Sequence, residues 1–442
     1  MEVSASRGLH DKYVMLLSCV LLGYAVVGKG FAYLGLPPIF IGEMALLAGS
    51  IVFLRTRCAA AALVSLPSLL LSATMIWVLS RTLPFVPIYG MDALRDSTVI
   101  MYGAFAFIIL ALVLEDGQRI NTIIQYYDGF LSIFIPLAPI MLIIGRYFDE
   151  YIPTLPVYNI PILQVRGGEV ASHVTGAAVF ILAGFRVATL REVICLLAAV
   201  LIFSTGRGSM LAFVIPVVFA MLMLGRMRQL IAVVMIGLAV LSAAYAVESA
   251  LVEYKGAATS SDQRSISARQ LAGNAISIFG YADEQTEGTK TWRIEWWKKI
   301  IADTVYGPNF WTGRGFGLNL ADADGFQDGD HPDLPPLRSP HNVNMTILAR
   351  AGVPGAVLWA GLLASWFVLM LQSMRIAQRR HHKDWASLFL FLSCYALSIV
   401  IDASFDVALE GPMLSVWFWC IFGFGIGSTM VYEFQAAKGT RL

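Results

Sequence analysis

Charge is what this sequence has least of. Asp, Glu, Lys and Arg make up 14% of its 442 residues, while 57% are hydrophobic. That balance excludes an ordinary soluble domain, in which about a quarter of the residues are charged. The few charges nearly cancel, to +1 at pH 7, a balance that by itself says nothing about nucleic acid, and no nucleic-acid partner is expected. Cysteine is scarce too: Cys19, Cys58, Cys195, Cys394 and Cys420 all lie in or beside apolar runs, so neither a disulfide framework nor a thiolate metal site is indicated. HExxH, Walker A, a strand-borne GxGxxG and Gly-x-Ser-x-Gly are all missing, and with them the usual marks of zinc proteases, nucleotide enzymes and serine hydrolases. Acids within apolar runs are limited to Glu43, Asp128, Asp402 and Asp406. Only Asp128 falls deep, whereas an ion-coupled transporter would place paired acids near mid-bilayer in two corresponding halves.

What is present is apolar length. Crossing roughly 30 Å of hydrocarbon takes about 20 residues at 1.5 Å each. Candidate windows lie near 13–29, 38–54, 59–80, 97–114, 120–146, 172–188, 189–205, 209–225, 229–248, 353–373, 385–402 and 412–432. No small-residue cleavage site follows the first, which is therefore read as a span. The expected fold is an all-α integral membrane protein with about twelve transmembrane helices. Fifteen Lys and Arg fall in or beside the short connections on one side, against six on the other. The richer side, with both termini, is expected to face the cytoplasm.

One connection is long, from about Ser249 to Pro340, and it carries four of the ten tryptophans. Backbone of this kind cannot sit in hydrocarbon, so it is read as one large, partly helical extracytoplasmic cap. The organisation is then 1–248 for the first nine spans, 249–352 for the cap and an interfacial helix, and 353–442 for the last three. Within the cap, "TWRIEWWKKIIADTV" puts Trp292, Trp296, Ile300 and Val305 on one helical face. "HNVNMTILARAG" shows a similar pattern before the Gly352–Gly355 break, and is read as a short helix along the outer interface.

Chemistry has to come from the outward groups. His173, His331 and His341 are the histidines on that side, and imidazole accepts a proton near neutral pH. His331 reads as a solvated loop residue, while His341 heads a helix and is the strongest candidate for a base. Arg95, Arg166, Arg207, Arg293, Arg314 and Arg338 also face outward, several beside glycine. A guanidinium grips phosphate bidentately, and adjacent glycine lets backbone N–H groups approach the same anion. The alternative for any one of them is pairing with headgroups or nearby acids. Arg207 stands out because "STGRGSML" is a tight turn between two spans, at the depth of a lipid phosphate. The cap has nine Lys and Arg against twelve Asp and Glu, which favours a local constellation over general attraction to anionic lipid. "DADGFQDGDHPD" fails as a calcium loop, with Gly325 fourth and Asp333 twelfth.

The order of "STGRGSMLAFV", "RIEWWKKI", "GRGFG" and "HNVNMTILARAGVPG" on this layout resembles the O-antigen polymerase and O-antigen ligase superfamily of the bacterial inner membrane. The resemblance is fullest over about 160–430. It implies a glycosyltransferase with its active site facing the periplasm and a donor glycan linked to undecaprenyl pyrophosphate. Arg207 and Arg293 would hold the pyrophosphate with help from Arg338, and His341, beside Asn342, would deprotonate or orient the acceptor hydroxyl. Arg166 and His173 match a less constant stretch, and Arg350 stands where the family often has an acid or Asn. No metal and no cofactor are expected, since guanidiniums could neutralise the departing phosphates. The partners implied are the lipid-linked donor, a glycan acceptor, the bilayer and a regulator of chain length. "YGMDALRDS" looks like exopolysaccharide-type members and favours a polymerase of repeat units. A ligase transferring glycan to lipid A core is the second reading, and a glycolipid flippase or other transporter the third.

Overall fold

The computed structural model describes residues 2–156, 158–255, 267–278, 284–327 and 337–438. His331 and the stretch "DGDHPD" lie outside the described residues. The chain is mostly helical. The first half holds α1 (Glu2–Val26), α2 (Lys29–Ala32), α3 (Ile41–Arg55), α4 (Leu66–Thr82), α5 (Val86–Tyr89), α6 (Met91–Met101), α7 (Ala104–Glu115) and α8 (Arg119–Tyr147). Then come α9 (Gly167–Leu182), α10 (Leu190–Phe203), α11 (Arg207–Met223) and α12 (Met227–Lys255). The cap contains α13 (Ala268–Ile278), α14 (Glu284–Thr304) and α15 (Leu320–Asp324), and the chain closes with α16 (Val343–Arg379), α17 (Lys383–Ala403) and α18 (Pro412–Lys438).

Every one of the twelve apolar windows is occupied by helix. Among the described residues, eight helical segments are long and apolar enough to cross a membrane. The windows near 38–54, 172–188, 189–205 and 209–225 hold shorter helices of 15, 16, 14 and 17 residues. The core is an apolar bundle in which α18 is almost entirely buried, and Trp366 of α16 bonds the Phe422 carbonyl of α18 at 2.9 Å.

The cap has a small core of its own. Trp296 and Ile300 of α14 are fully buried against Leu320 and Ala321 of α15 and Leu348 and Ala349 of α16. Trp296 stacks on Phe326 at 5.3 Å and donates its indole N–H to Asp324 at 2.8 Å, which satisfies the ring's one polar atom. The face expected to carry Trp292, Trp296 and Ile300 is therefore the one that packs.

The short helix expected along the outer interface is the first part of α16. It is enclosed by protein: Val343 and the run from Thr346 to Gly352 are buried. Gly352 breaks it, at φ 71° and ψ −175°, a conformation open to glycine because it lacks a Cβ. Beyond that kink α16 continues into the bundle.

Candidate active site

Two glycine-led helix starts and one loop frame the site. α9 begins at Gly167 and α11 at Arg207. The first N–H groups of any helix have no partner within it, and no side chain caps α11, so these ends attract anions. Between them lies a cavity of about 490 Å³, lined by Leu142, Gly145 and Arg146 of α8, Val165, Gly167 and Gly168, Ile202, Phe203, Thr205, Gly206 and Ser209, and Asp406. Gly168 is required by proximity: a Cβ there would stand 1.9 Å from Asp402 Oδ1.

The loop between α17 and α18 gathers groups from three distant parts of the chain. Asp406 Oδ1 accepts from Arg166 Nη1 at 3.3 Å and lies 3.3 Å from His341 Nδ1. It also takes the Val407 N–H at 2.7 Å. Arg293 of α14 donates to the Phe405 carbonyl at 2.9 Å. Arg207 joins the group through its neighbours, since Gly206 and Ser209 line the cavity and Gly208 packs against Phe405. The loop is anchored from behind by Asn344 on Ser404 at 3.2 Å and Thr346 on Glu410 at 2.9 Å.

The electrostatics give His341 a direction. Burial raises the Asp406 carboxyl's pKa, but the His341 hydrogen bond, the Arg166 charge and the Val407 N–H outweigh it and bring the pKa down to about 2. An ionised carboxylate only accepts. His341 Nδ1 must therefore carry the proton of that bond, which leaves Nε2 as the basic nitrogen. The residue sits at φ 53°, a left-handed conformation that costs an L-residue roughly 1–2 kcal/mol. That turn lets Asn342 cap α16, accepting from Asn344 N at 2.9 Å and Met345 N at 3.3 Å. The Asn342 side chain is thus occupied as a helix cap.

The other arginines gather elsewhere. Arg338 pairs with Asp92 at 3.2 Å and Asp96 at 3.1 Å, and buried Arg350 reaches Asp96 at 3.0 Å. Arg95 pairs locally with Asp92 and Asp96 at 3.2 and 3.3 Å. Arg314 grips Asp324 through two bonds of 2.8 and 3.0 Å. These contacts fasten the cap to α6 and the cap to itself. Sequence order groups all six arginines by their expected side of the membrane; the partners they meet, carboxylates for Arg95, Arg166, Arg314 and Arg338 and the Phe405 carbonyl for Arg293, divide them.

His173 lies apart as well. It is 2% exposed, bonded to Tyr395 Oη at 2.5 Å and surrounded by Phe130, Phe134 and Trp417. The reason is that α9 starts at Gly167, before the apolar window, which carries residue 173 about 9 Å along the helix axis into the bundle. Asp406, by contrast, was legible only as an acid at the end of an apolar run, where "DASFDVALE" places Asp402, Asp406 and Glu410 four apart.

A comparison with curated proteins finds no match to the chain. Residues 193–360 match the family model described as O-antigen ligase, a segment that contains Arg207, Arg293, Arg338 and His341, and this match supports the chain's place in the O-antigen polymerase and ligase superfamily.

Proposed function

We propose that this multi-pass membrane protein is a metal-independent glycosyltransferase. Its donor is a glycan carried on undecaprenyl pyrophosphate, and it works at the outward, periplasmic face of the bacterial inner membrane, on a frame of twelve spans with both termini inside. The observation that carries the reading is the meeting of Arg166, Arg293 and His341 at residues 405–406, beside the cavity at the Arg207 helix start. In the proposed reaction His341 Nε2 takes the proton of the acceptor hydroxyl as its oxygen attacks the anomeric carbon. The bond from that carbon to the diphosphate oxygen breaks, and the leaving diphosphate carries off the electron pair. Its growing charge is met by Arg207, Arg293 and the α11 N-terminus. Asp406 holds the imidazole in one tautomer and stabilises the imidazolium that forms.

The preferred product is a chain of polymerised repeat units. A second reading, transfer of finished glycan to lipid A core, is favoured by the description of the matched family. The test has two stages. Purified protein in vesicles is given a lipid-linked repeat unit, and glycosyl transfer is expected from the wild type and not from His341→Ala; equal rates would refute the assignment. Deletion in cells then separates the readings: a single repeat on core marks a polymerase, free long chains without core a ligase, and cytoplasmic accumulation a flippase.

A further inference from the structure

Arg146 has no place in the reading so far. It stands in the last turn of α8, and its side chain lines the same cavity as Asp406, Gly167 and Gly206. A cation is favoured at any helix C-terminus by the backbone dipoles, which accounts for its charge and not for where it is held. Its Nη1 donates to Thr205 Oγ1 at 3.2 Å, and that hydroxyl lies 2.9 Å from the Ile202 carbonyl, to which it gives its only proton. Asn274 of α13 fastens the same turn from the cap, donating to the Ser204 and Thr205 carbonyls at 3.2 and 2.7 Å. The guanidinium is thus clamped by a hydroxyl.

What it lacks is a counter-charge. Arg166, Arg314, Arg338 and Arg350 all face carboxylates, whereas Arg146 has no ion pair among the described residues. One of its five N–H donors is engaged by Thr205, and four remain for an anion. The cavity lining is mixed in character: Gly167, Gly206 and Ser209 come from the helix starts, and Leu142, Ile202 and Phe203 add apolar surface. An anionic head on an apolar chain fits both kinds of lining.

We propose that Arg146, positioned by Thr205, binds the diphosphate of the lipid-linked donor from the α8 side, while Leu142, Ile202 and Phe203 receive the first isoprene units. This rests on the donor assignment above and adds a residue that lies outside the matched family segment. The test uses the full-length protein in detergent, with farnesyl diphosphate as probe and inorganic pyrophosphate and phosphatidylglycerol as competitors. Wild type is expected to bind farnesyl diphosphate and to prefer it to both competitors. Arg146→Ala should weaken that binding about tenfold or more, the loss of a charge-assisted bond, with Tm and the acceptor KM unchanged. Arg146→Lys should recover part, and Thr205→Val should lose less than Arg146→Ala. Unchanged binding in Arg146→Ala overturns the inference alone; should that variant not fold, unchanged binding in both Arg146→Lys and Thr205→Val does so. Phosphatidylglycerol competing as well as the probe would make the site a general headgroup site and overturn the donor assignment of Arg146. Pyrophosphate competing equally would overturn the role given to the apolar lining. A wild type that binds no farnesyl diphosphate overturns the donor reading itself, and this inference with it.

Discussion

Replacing Asp406 by Asn keeps the shape of the side chain and removes the negative charge from the point where Arg166 and His341 meet, each 3.3 Å from Oδ1. Two consequences of opposite sign follow. Without the carboxylate the Arg166 guanidinium, one of the expected substrate-binding groups, would be released toward a bound diphosphate, so the substitution should tighten donor binding. Unit charges about 4 Å apart at an effective dielectric near 20 attract by roughly 4 kcal/mol. The Arg166 and Asp406 side chains are 42% and 31% exposed, however, and an exposed pair retains only about 0.2–1 kcal/mol of that. Donor affinity should therefore rise by about 1.4- to 5-fold. The chemical step moves the other way. An amide can donate to Nδ1 and stabilise the tautomer in which Nε2 carries the proton, and it cannot balance an imidazolium. Loss of an orienting carboxylate behind a catalytic imidazole costs about 10²–10⁴ in rate. The assay is single-turnover transfer in vesicles, with donor binding measured separately on the same preparation. A variant with wild-type kcat, or one whose defect lies wholly in donor binding, would refute the reasoning. The pH dependence has a sign of its own. A carboxyl depressed to about 2 contributes in its ionised form at all pH above its ordinary range, and that contribution is lost only as pH falls toward 2. Any acid limb of the wild-type rate above about pH 5 must therefore come from another group.

Four further outcomes are expected. Arg207→Lys keeps the charge and loses the planar fork, and should raise the donor KM by about tenfold or more, with Arg207→Ala at least as severe; a Lys variant with wild-type KM would show that point charge suffices. Activity should survive EDTA, and loss restored by one divalent cation would refute the metal-independent mechanism. Gly168→Ala drives a methyl against buried Asp402 and should lower stability by about 1–3 kcal/mol, seen as a fall in Tm. Asp96→Asn deprives buried Arg350 and Arg338 of their shared carboxylate, a loss of about 3–5 kcal/mol for a buried pair, read out as faster proteolysis between α14 and α16.

The sequence by itself determined where the helices are, because apolar length and the polar breaks between runs are local properties. It also marked α14 within the long connection, through one short amphipathic stretch, whereas Arg207, read as a turn residue, is the first residue of α11. Where each helix begins was less legible: most of the polar "RGGEVAS" stretch joins α9, with Glu169 and Ser172 buried, and that carries His173 into the bundle. Only the tertiary structure decided which outward arginines share a site. Charge and expected side of the membrane are common to all six, while the groups that Arg95, Arg166, Arg293, Arg314 and Arg338 meet come from residues up to 246 positions away. Asp406, 65 positions beyond His341 and 240 beyond Arg166, becomes their common partner through the packing of α17 against α9, α11 and α16. An ion pair needs only proximity in space, and along a chain that folds across a membrane many times, proximity leaves no local mark.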